Sequence, residues 1–501
     1  MQNSKEQRSW EVILFCAAIF SAMLVFFTLL HPIPIMDEDD VIYTVIVRKA
    51  IPIPGAWNPS RMMPEVLISI CGNLAALGTA FGFGRFIDCQ VVVWGIVFSL
   101  FITAYVYSFF YLMRTRFFTE KYQAVCLSII FLMLHFLIFR TQDSHNSFMF
   151  HTYDACCVFY YTVPALFGCT LVMWFMSSPD NAPELNGLHH VRDSFLLLAL
   201  YFELFSNLFG SVILAAYAGY RLLQSAFQKE KKQFWKKNCI WIMIVLLWLL
   251  AAVLEATGGR AAGARTQVSK GTLELSTKIT QAFFLFAKTM RNANALFLLM
   301  LAAVIVGTVF LIFIQADRTL NKRYLRVLKE TLLWGVATTL AILLLCSATE
   351  PLYAARPEAV FPIVFLVFLL ILLAINFILQ RVRGAVLLLP IVMIFIYSMT
   401  NTRFLTFCDS NPLLLDGHVA VAIENEIYES IIEAAKAGKT EITVDVIHSN
   451  EEANWPHDGL IGDPMAEFFL KYGIIDHSIR VHINPSDEIN EKYHIKFPCE
   501  S

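Results

Sequence analysis

Four carboxylates stand in a row at Asp37, Glu38, Asp39 and Asp40, in a chain where only 16% of residues are charged. Like charges this close repel one another, so such a run gains most where it must accept a proton or hold a cation. A solvated charge run or a helix cap is the plainer reading of an isolated cluster. Position favours chemistry here, because the acids follow closely on residues 10–30, an apolar stretch of membrane-spanning length. Asp39 and Asp40 are the two favoured as proton acceptors, with Glu38 beside them. A divalent cation could bridge the acids, but carboxylates alone do not demand one, and no cofactor is required.

A second group is basic. Arg48, Lys49, Arg61, Arg260, Arg265, Lys270 and Arg356 fall outside the Lys- and Arg-rich loops that set the expected orientation. Arg48, Lys49 and Lys278 read as anchors to lipid headgroups. The others suit an anionic phosphate, because the guanidinium fork meets phosphate oxygens in pairs. A third group, Glu203 and Asn207, interrupts the apolar segment 194–223 together with Ser206 and Gly210. That segment reads as two short helices meeting at a polar break, either a satisfied pair closing the break or part of a substrate cavity. Trp57 suits stacking on a sugar ring or anchoring at the membrane interface. His145 and His151 lie in a polar loop and read as solvated.

The elements that must position these groups are mostly membrane helices. Of 501 residues 57% are hydrophobic and 14% aromatic, and the mean hydropathy is +0.61, a composition unlike that of a soluble domain. Apolar runs at 10–30, 90–113, 122–139, 155–176, 238–255, 294–314, 331–348, 360–380 and 385–400 read as spans, with a kink at Pro164. The first lacks a small-residue cleavage pattern and reads as a retained helix. Segment 279–291 is amphipathic and suits the interface. Basic loops near 114–121, 229–237, 318–329 and 381–383 belong inside by the charge rule. That arrangement requires an odd number of spans, about eleven, and a cytoplasmic N-terminus. It also requires residues 61–86 to lie outside near the interface without crossing, within a large first outer loop over 31–86. Residues 401–501 are polar and mix helical patterns (419–437, 465–472) with strand-like ones (441–447, 479–483). The expected fold is therefore an all-α polytopic membrane domain over 1–400, followed by a small α/β extracytoplasmic domain.

Other signals exclude more than they assign. Eleven cysteines occur without a CxxC pair, so no structural zinc is expected, and a pairing of Cys408 with Cys499 stays open. No Asn-x-Ser/Thr acceptor occurs except with x = Pro, which fits a bacterial chain better than a eukaryotic secretory one. Gly82-Phe83-Gly84 lacks the strand and helix of a dinucleotide fingerprint, and there is no P-loop. A formal charge of −2 says little about partners, and nothing in the chain calls for nucleic acid.

Glu38-Asp39-Asp40, followed by Trp57-Asn58-Pro59-Ser60-Arg61, resembles the acidic first outer loop of the GT-C class of integral-membrane glycosyltransferases. The break Glu203-Leu204-Phe205-Ser206-Asn207 is similar to polar breaks in bacterial surface-polysaccharide glycosyltransferases of that class. Many helices of unequal length and a C-terminal outer domain fit the same architecture. The resemblance implies a polyprenyl-phosphate-sugar lipid donor and a glycan or cell-wall acceptor, handled at the outer face of the cell membrane. It implies Asp39 or Asp40 as general base on the acceptor hydroxyl, and arginines on the departing lipid phosphate. Glu38, Trp57, Arg61, Glu203, Asn207, Arg260, Arg265 and Arg356 would then surround the substrates, and single displacement would invert the anomeric carbon. Four acids stand where the simplest pattern of the class has two. The chemistry agrees, since sugar transfer needs a base at the acceptor and positive charge where the phosphate leaves.

Two other classes compete. A lipid-linked polysaccharide polymerase or ligase would use the same outer arginines without needing a carboxylate in the first loop. A transporter or flippase sets its ionisable groups near mid-membrane, in repeated halves; here the charges gather at helix ends and no internal repeat is visible.

Overall fold

Long apolar runs with few breakers wind into helices, because a backbone with little water around it must satisfy its N–H and C=O groups locally. The structure is a computed structural model that describes residues 2–35, 38–46, 48–138, 141–142, 145–146, 149–150, 155–177, 191–227, 234–268, 275–291, 293, 295–314, 318–380, 417–448 and 462–495. Helix α1 (Gln2–Val25) runs into a π-turn at Phe26–Leu30, and α2 (Glu38–Val45) carries the acids. Then come α3 (Met62–Ala80), α4 (Phe86–Arg116), α5 (Lys121–Leu137) and α6 (Ala155–Ser177). Two-residue strands β1 (Thr141–Gln142) and β2 (His145–Asn146) pair between α5 and α6. Helices α7 (Val191–Leu204) and α8 (Leu208–Ala226) flank the polar break. Next are α9 (Phe234–Thr257), α10 (Gly259–Val268), α11 (Leu275–Arg291), α12 (Ala295–Ile314) and α13 (Arg318–Ala348), then a 3₁₀ turn at Pro351–Ala355 and α14 (Phe361–Leu379). The C-terminal segment contributes α15 (Gly417–Lys436), β3 (Glu441–Ile447), α16 (Asp463–Lys471), β4 (Arg480–Ser486) and α17 (Asp487–Lys492).

Among the described residues, seven helices are long and apolar enough to cross a membrane: Trp10–Leu30, Met62–Ala80, Phe86–Arg116, Ala155–Ser177, Lys237–Thr257, Tyr324–Ala348 and Phe361–Leu379. Lys121–Leu137 and Phe297–Leu311 are shorter apolar helices. These lengths are consistent with a membrane protein. The run expected at 385–400 lies outside the described residues, as do His151, Lys270, Cys408 and Cys499, and the side chain of His145. Helix α4 is central. Its buried Trp94, Phe98, Ile102, Tyr105 and Phe109 meet α1, α3, α5 and α6. Where a kink was expected at Pro164, α6 is wound as a π-turn over Val158–Thr162. Proline offers no N–H to the preceding turn, and a π-turn is one way to absorb the loss.

Within residues 61–86, expected to lie near the interface without crossing, Met62–Ala80 form one continuous helix that is long and apolar enough to cross. Pro64 falls in its first turn, where a missing N–H costs nothing. Gly72 is needed for its close approach to α2: a Cβ there would lie 2.6 Å from Thr44 Cγ2. In the C-terminal segment β3 and β4 pair in parallel, Glu441 opposite Arg480 through Ile447 opposite Ser486. Its apolar side is not closed on itself. Tyr428, Phe468 and Phe469 pack edge-on around Phe86 at the start of α4, within the same apolar cluster as the long helices. Tyr472 donates to Asn73 of α3, and Asn425 to Asp88 of α4 at 2.9 Å.

Candidate functional site

Asp39 and Asp40 do not act as one group. Successive residues of a helix point about 100° apart, and α2 sends Asp39 and Asp40 to different surroundings. Asp40 is fully buried and accepts the N–H of Cys156 at 2.5 Å, at the start of α6. It therefore satisfies a helix N-terminal donor. Asp39 is exposed. Desolvation holds its carboxyl above the usual range, and the fields of Arg260 and then Arg61 pull it partly back. Asp37 and the side chain of Glu38 lie outside the described residues.

Three arginines from distant parts of the chain gather around Tyr160, Tyr161 and Tyr353. Arg61 precedes α3, Arg260 lies in α10, and Arg356 follows the 3₁₀ turn. Arg61 is 8% exposed, pairs through Nε with Glu255 Oε1 at 3.2 Å, and lies 5.2 Å from the centre of the Tyr160 ring. Arg356 pairs with Glu358 at 2.5 Å, donates to Cys157 Sγ at 3.0 Å, and stacks over Tyr161 and Tyr353 at 5.3 and 5.4 Å. Arg260 differs from both. It donates to the Tyr353 hydroxyl at 3.0 Å and has no carboxylate within ion-pair reach among the described residues. Tyr161, Tyr353 and Phe209 form one aromatic wall, with centroids 5.5 to 6.2 Å apart. Guanidinium groups over aromatic faces keep their outward N–H donors while losing water.

The backbone that carries these groups is tied together. The N–H groups of Gly259 and Arg260 donate to the carbonyls of Ala56 and Trp57 at 2.9 and 3.1 Å, so α10 is pinned onto the loop that holds Arg61. Ser60 Oγ adds a bond to Glu255 at 2.9 Å. Trp57 lies against Gly259 and Gly263, where added Cβ atoms would come within 3.2 and 3.3 Å of it, and remains 59% exposed. The side chain of Arg265 lies outside the described part of the structure. Next to Arg61, on the other side of Tyr160, Arg48 pairs with Glu65 at 2.7 Å, and Tyr160 donates to the same carboxylate at 2.8 Å. The headgroup-anchor reading of Arg48 is thus corrected: the residue turns inward, because Glu65 would otherwise be a buried charge without a partner.

The helix break has the two-helix form expected from the sequence. Asn207 Oδ1 accepts the Phe209 N–H at 2.8 Å and caps α8, while Ser206 Oγ closes on the Glu203 carbonyl at 2.6 Å. Glu203 is fully buried, and neither carboxyl oxygen has a hydrogen-bond partner among the described residues. It wedges against α6: a Cβ on Gly168 would lie 2.5 Å from Glu203 Oε1. The break reaches the aromatic wall through Phe209.

Sequence reasoning missed the tyrosines, Glu255 and Glu358. One signal was present: Glu255 is a lone acid in the last turn of an apolar helix, opposite surplus arginines. Adjacent Tyr160 and Tyr161 looked like ordinary core aromatics. No protein-family model, curated protein or solved structure matches this chain.

Proposed function

We propose that the chain is a membrane glycosyltransferase that moves a sugar from a polyprenyl-phosphate donor to a hydroxyl of a cell-surface glycan. The observation that carries the reading is an exposed carboxylate, Asp39, in the field of Arg260 and Arg61, with Arg61 and Arg356 stacked on tyrosine rings and Arg260 donating to the Tyr353 hydroxyl. In this reading Asp39 takes the acceptor proton as the acceptor oxygen bonds to the anomeric carbon. The bond from that carbon to the donor phosphate breaks, and the electron pair leaves on the phosphate oxygen. Arg260 is the residue best placed to receive that charge, because Arg61 and Arg356 are already paired with Glu255 and Glu358. Those two contribute field rather than a free fork. Attack opposite the leaving group inverts the anomeric centre. Trp57 offers an exposed ring for the acceptor sugar.

The reading includes an outer-face site and a cytoplasmic N-terminus. At 31 residues α4 is longer than the roughly 20 a bilayer needs. Its Phe86 end meets the polar C-terminal segment, while Arg114 and Arg116 mark the other end. Asn73, midway along α3, bonds to Tyr472 of that same polar segment, which favours α3 lying at the interface. The test is direct. Purified protein is incubated with radiolabelled polyprenyl-phosphate sugars and release of lipid phosphate is followed. Release that depends on Asp39 and Arg260 is expected, and no release from any donor in a broad panel would refute the proposal.

A further inference from the structure

One buried carboxyl group takes no part in the chemistry above. Glu203 lies in the last turn of α7, fully buried, and neither of its oxygens has a hydrogen-bond partner among the described residues. Asn207 Nδ2, on the other side of the break, is also buried and unpartnered among them. The helices close tightly around this point. The Phe205 carbonyl accepts the Met62 N–H at 2.9 Å, which ties the break to the start of α3. A Cβ on Gly210 would lie 2.9 Å from the Ala165 nitrogen, so only glycine lets α8 approach α6 this closely. Glu203 Oε1 and the Gly210 carbonyl oxygen converge on Gly168, 2.5 and 3.1 Å from the position of an added Cβ. Two acceptors that approach one point repel unless one of them carries a hydrogen.

No charge nearby offsets the burial. Helix α7 packs on α3, α6, α8 and α9. Of the charged groups there, Glu65 is paired with Arg48 and Glu255 with Arg61. Asp193, Arg221 and Lys237 lie toward the helix ends away from the break. Among the described residues none of these acts on Glu203, and the titratable group that feels its charge is the Cys169 thiol of α6. An ionised carboxylate stripped of both water and partner is far costlier than the neutral acid. The packed break therefore suits a carboxylic acid and not a carboxylate.

We propose that Glu203 is a proton-binding site that latches the helix break. With the proton on, α7 and α8 stay packed against α6. When the O–H bond breaks and the proton passes to water, the carboxylate must be hydrated, and the break opens to admit that water. Phe209, just past the break, packs on Tyr161 and Tyr353 at 6.2 and 5.5 Å, so opening also loosens the aromatic wall beneath the arginines. The latch does not rest on sugar transfer, because it is read without turnover.

The full-length protein in lipid nanodiscs is compared with Glu203→Gln, which keeps the shape of the neutral acid and cannot ionise. Glu203→Met, also unable to ionise, replaces it as the reference if the Gln variant does not fold. Infrared difference spectra at neutral pH should show a carboxylic-acid carbonyl band in the natural protein that the variant lacks. Hydrogen exchange of the segment 200–212 is then followed by mass spectrometry over a series of pH values. An opening that releases one proton becomes about tenfold more frequent per pH unit above the ordinary carboxylate range, until the closed form loses its proton too. The exchange rate of the natural protein divided by that of the variant at the same pH should climb accordingly, while the same ratio for α4 stays level. Absence of the acid band would overturn the proposal. So would a ratio that stays level from acid to alkaline pH, or one that climbs equally in α4.

Discussion

Asp39 and Asp40 are neighbours in sequence with opposite surroundings, and replacing each by Asn separates two roles. Asp39→Asn keeps the shape and removes the basicity at an exposed position facing Arg260 and Arg61. A general base contributes typically ~10²- to 10⁴-fold, so turnover should fall by about that factor while folding and donor binding persist. Asp40→Asn acts elsewhere. Asn can still accept the Cys156 N–H that Asp40 holds at 2.5 Å, so the loss is of charge assistance at a helix start, about 1 kcal/mol. Asp40→Ala leaves that buried donor unmade and should cost about 1–3 kcal/mol. The assay pairs single-turnover sugar transfer with thermal melting of the same preparations. The expected pattern is a stable, inactive Asp39→Asn and an active Asp40→Asn that is slightly destabilised. An Asp39→Asn variant with normal turnover would refute the reasoning; were Glu203→Gln then inactive, the chemistry would belong at the helix break.

Other outcomes follow from the same contacts. Because Arg260 is the larger of the two charges lowering the Asp39 pKa, Arg260→Gln should move the acid limb of kcat/KM to higher pH, and an unmoved limb in the pH profile would exclude Asp39 as the titrating base. Arg260→Lys should restore donor affinity only partly in a binding titration, since a point charge cannot reproduce the fork. Burial pushes the Glu424 carboxyl up to about 8, and the neighbouring Tyr428 hydroxyl pulls it partly back. Its folded pKa exceeds its unfolded one, so its contribution to stability is full below about 4.5 and is lost as pH rises through about 8; melting between those values should flatten in Glu424→Gln. Gly168→Ala places a Cβ 2.5 Å from Glu203 Oε1 and 3.1 Å from the Gly210 carbonyl; overpacking of about 1–3 kcal/mol should show in thermal melting, with partial recovery in the double variant carrying Glu203→Ala.

Much of the architecture was legible because it depends on local periodicity. The long apolar runs among the described residues are helices at nearly the expected positions, and the strand-like stretch at 441–447 is β3 over that range. The break at Glu203 and Asn207 was legible too, since polar residues within an apolar run have few ways to be satisfied. The winding of α6 was not. Proline announces a defect, but whether the helix kinks or takes a π-turn depends on how its neighbours pack. Residues 61–86 were placed outside by the charge rule and the span count it required, which say nothing of how closely Gly72 of α3 meets Thr44 of α2.

The sequence by itself determined which side chains were available: a carboxylate run after the first apolar stretch, surplus arginines beyond the basic loops, and a polar break in an apolar segment. Tertiary structure decided which of them meet. Arg61, Arg260 and Arg356 gather only because α10 is pinned to Ala56 and Trp57, and because Tyr353 joins Tyr161 across separate helices. It also decided that Asp39 lies in the field of Arg260 and Arg61 while Asp40 is buried under Cys156. Composition cannot distinguish two adjacent aspartates. The turn of a helix can, because each additional residue rotates a side chain by about 100° into a different neighbourhood.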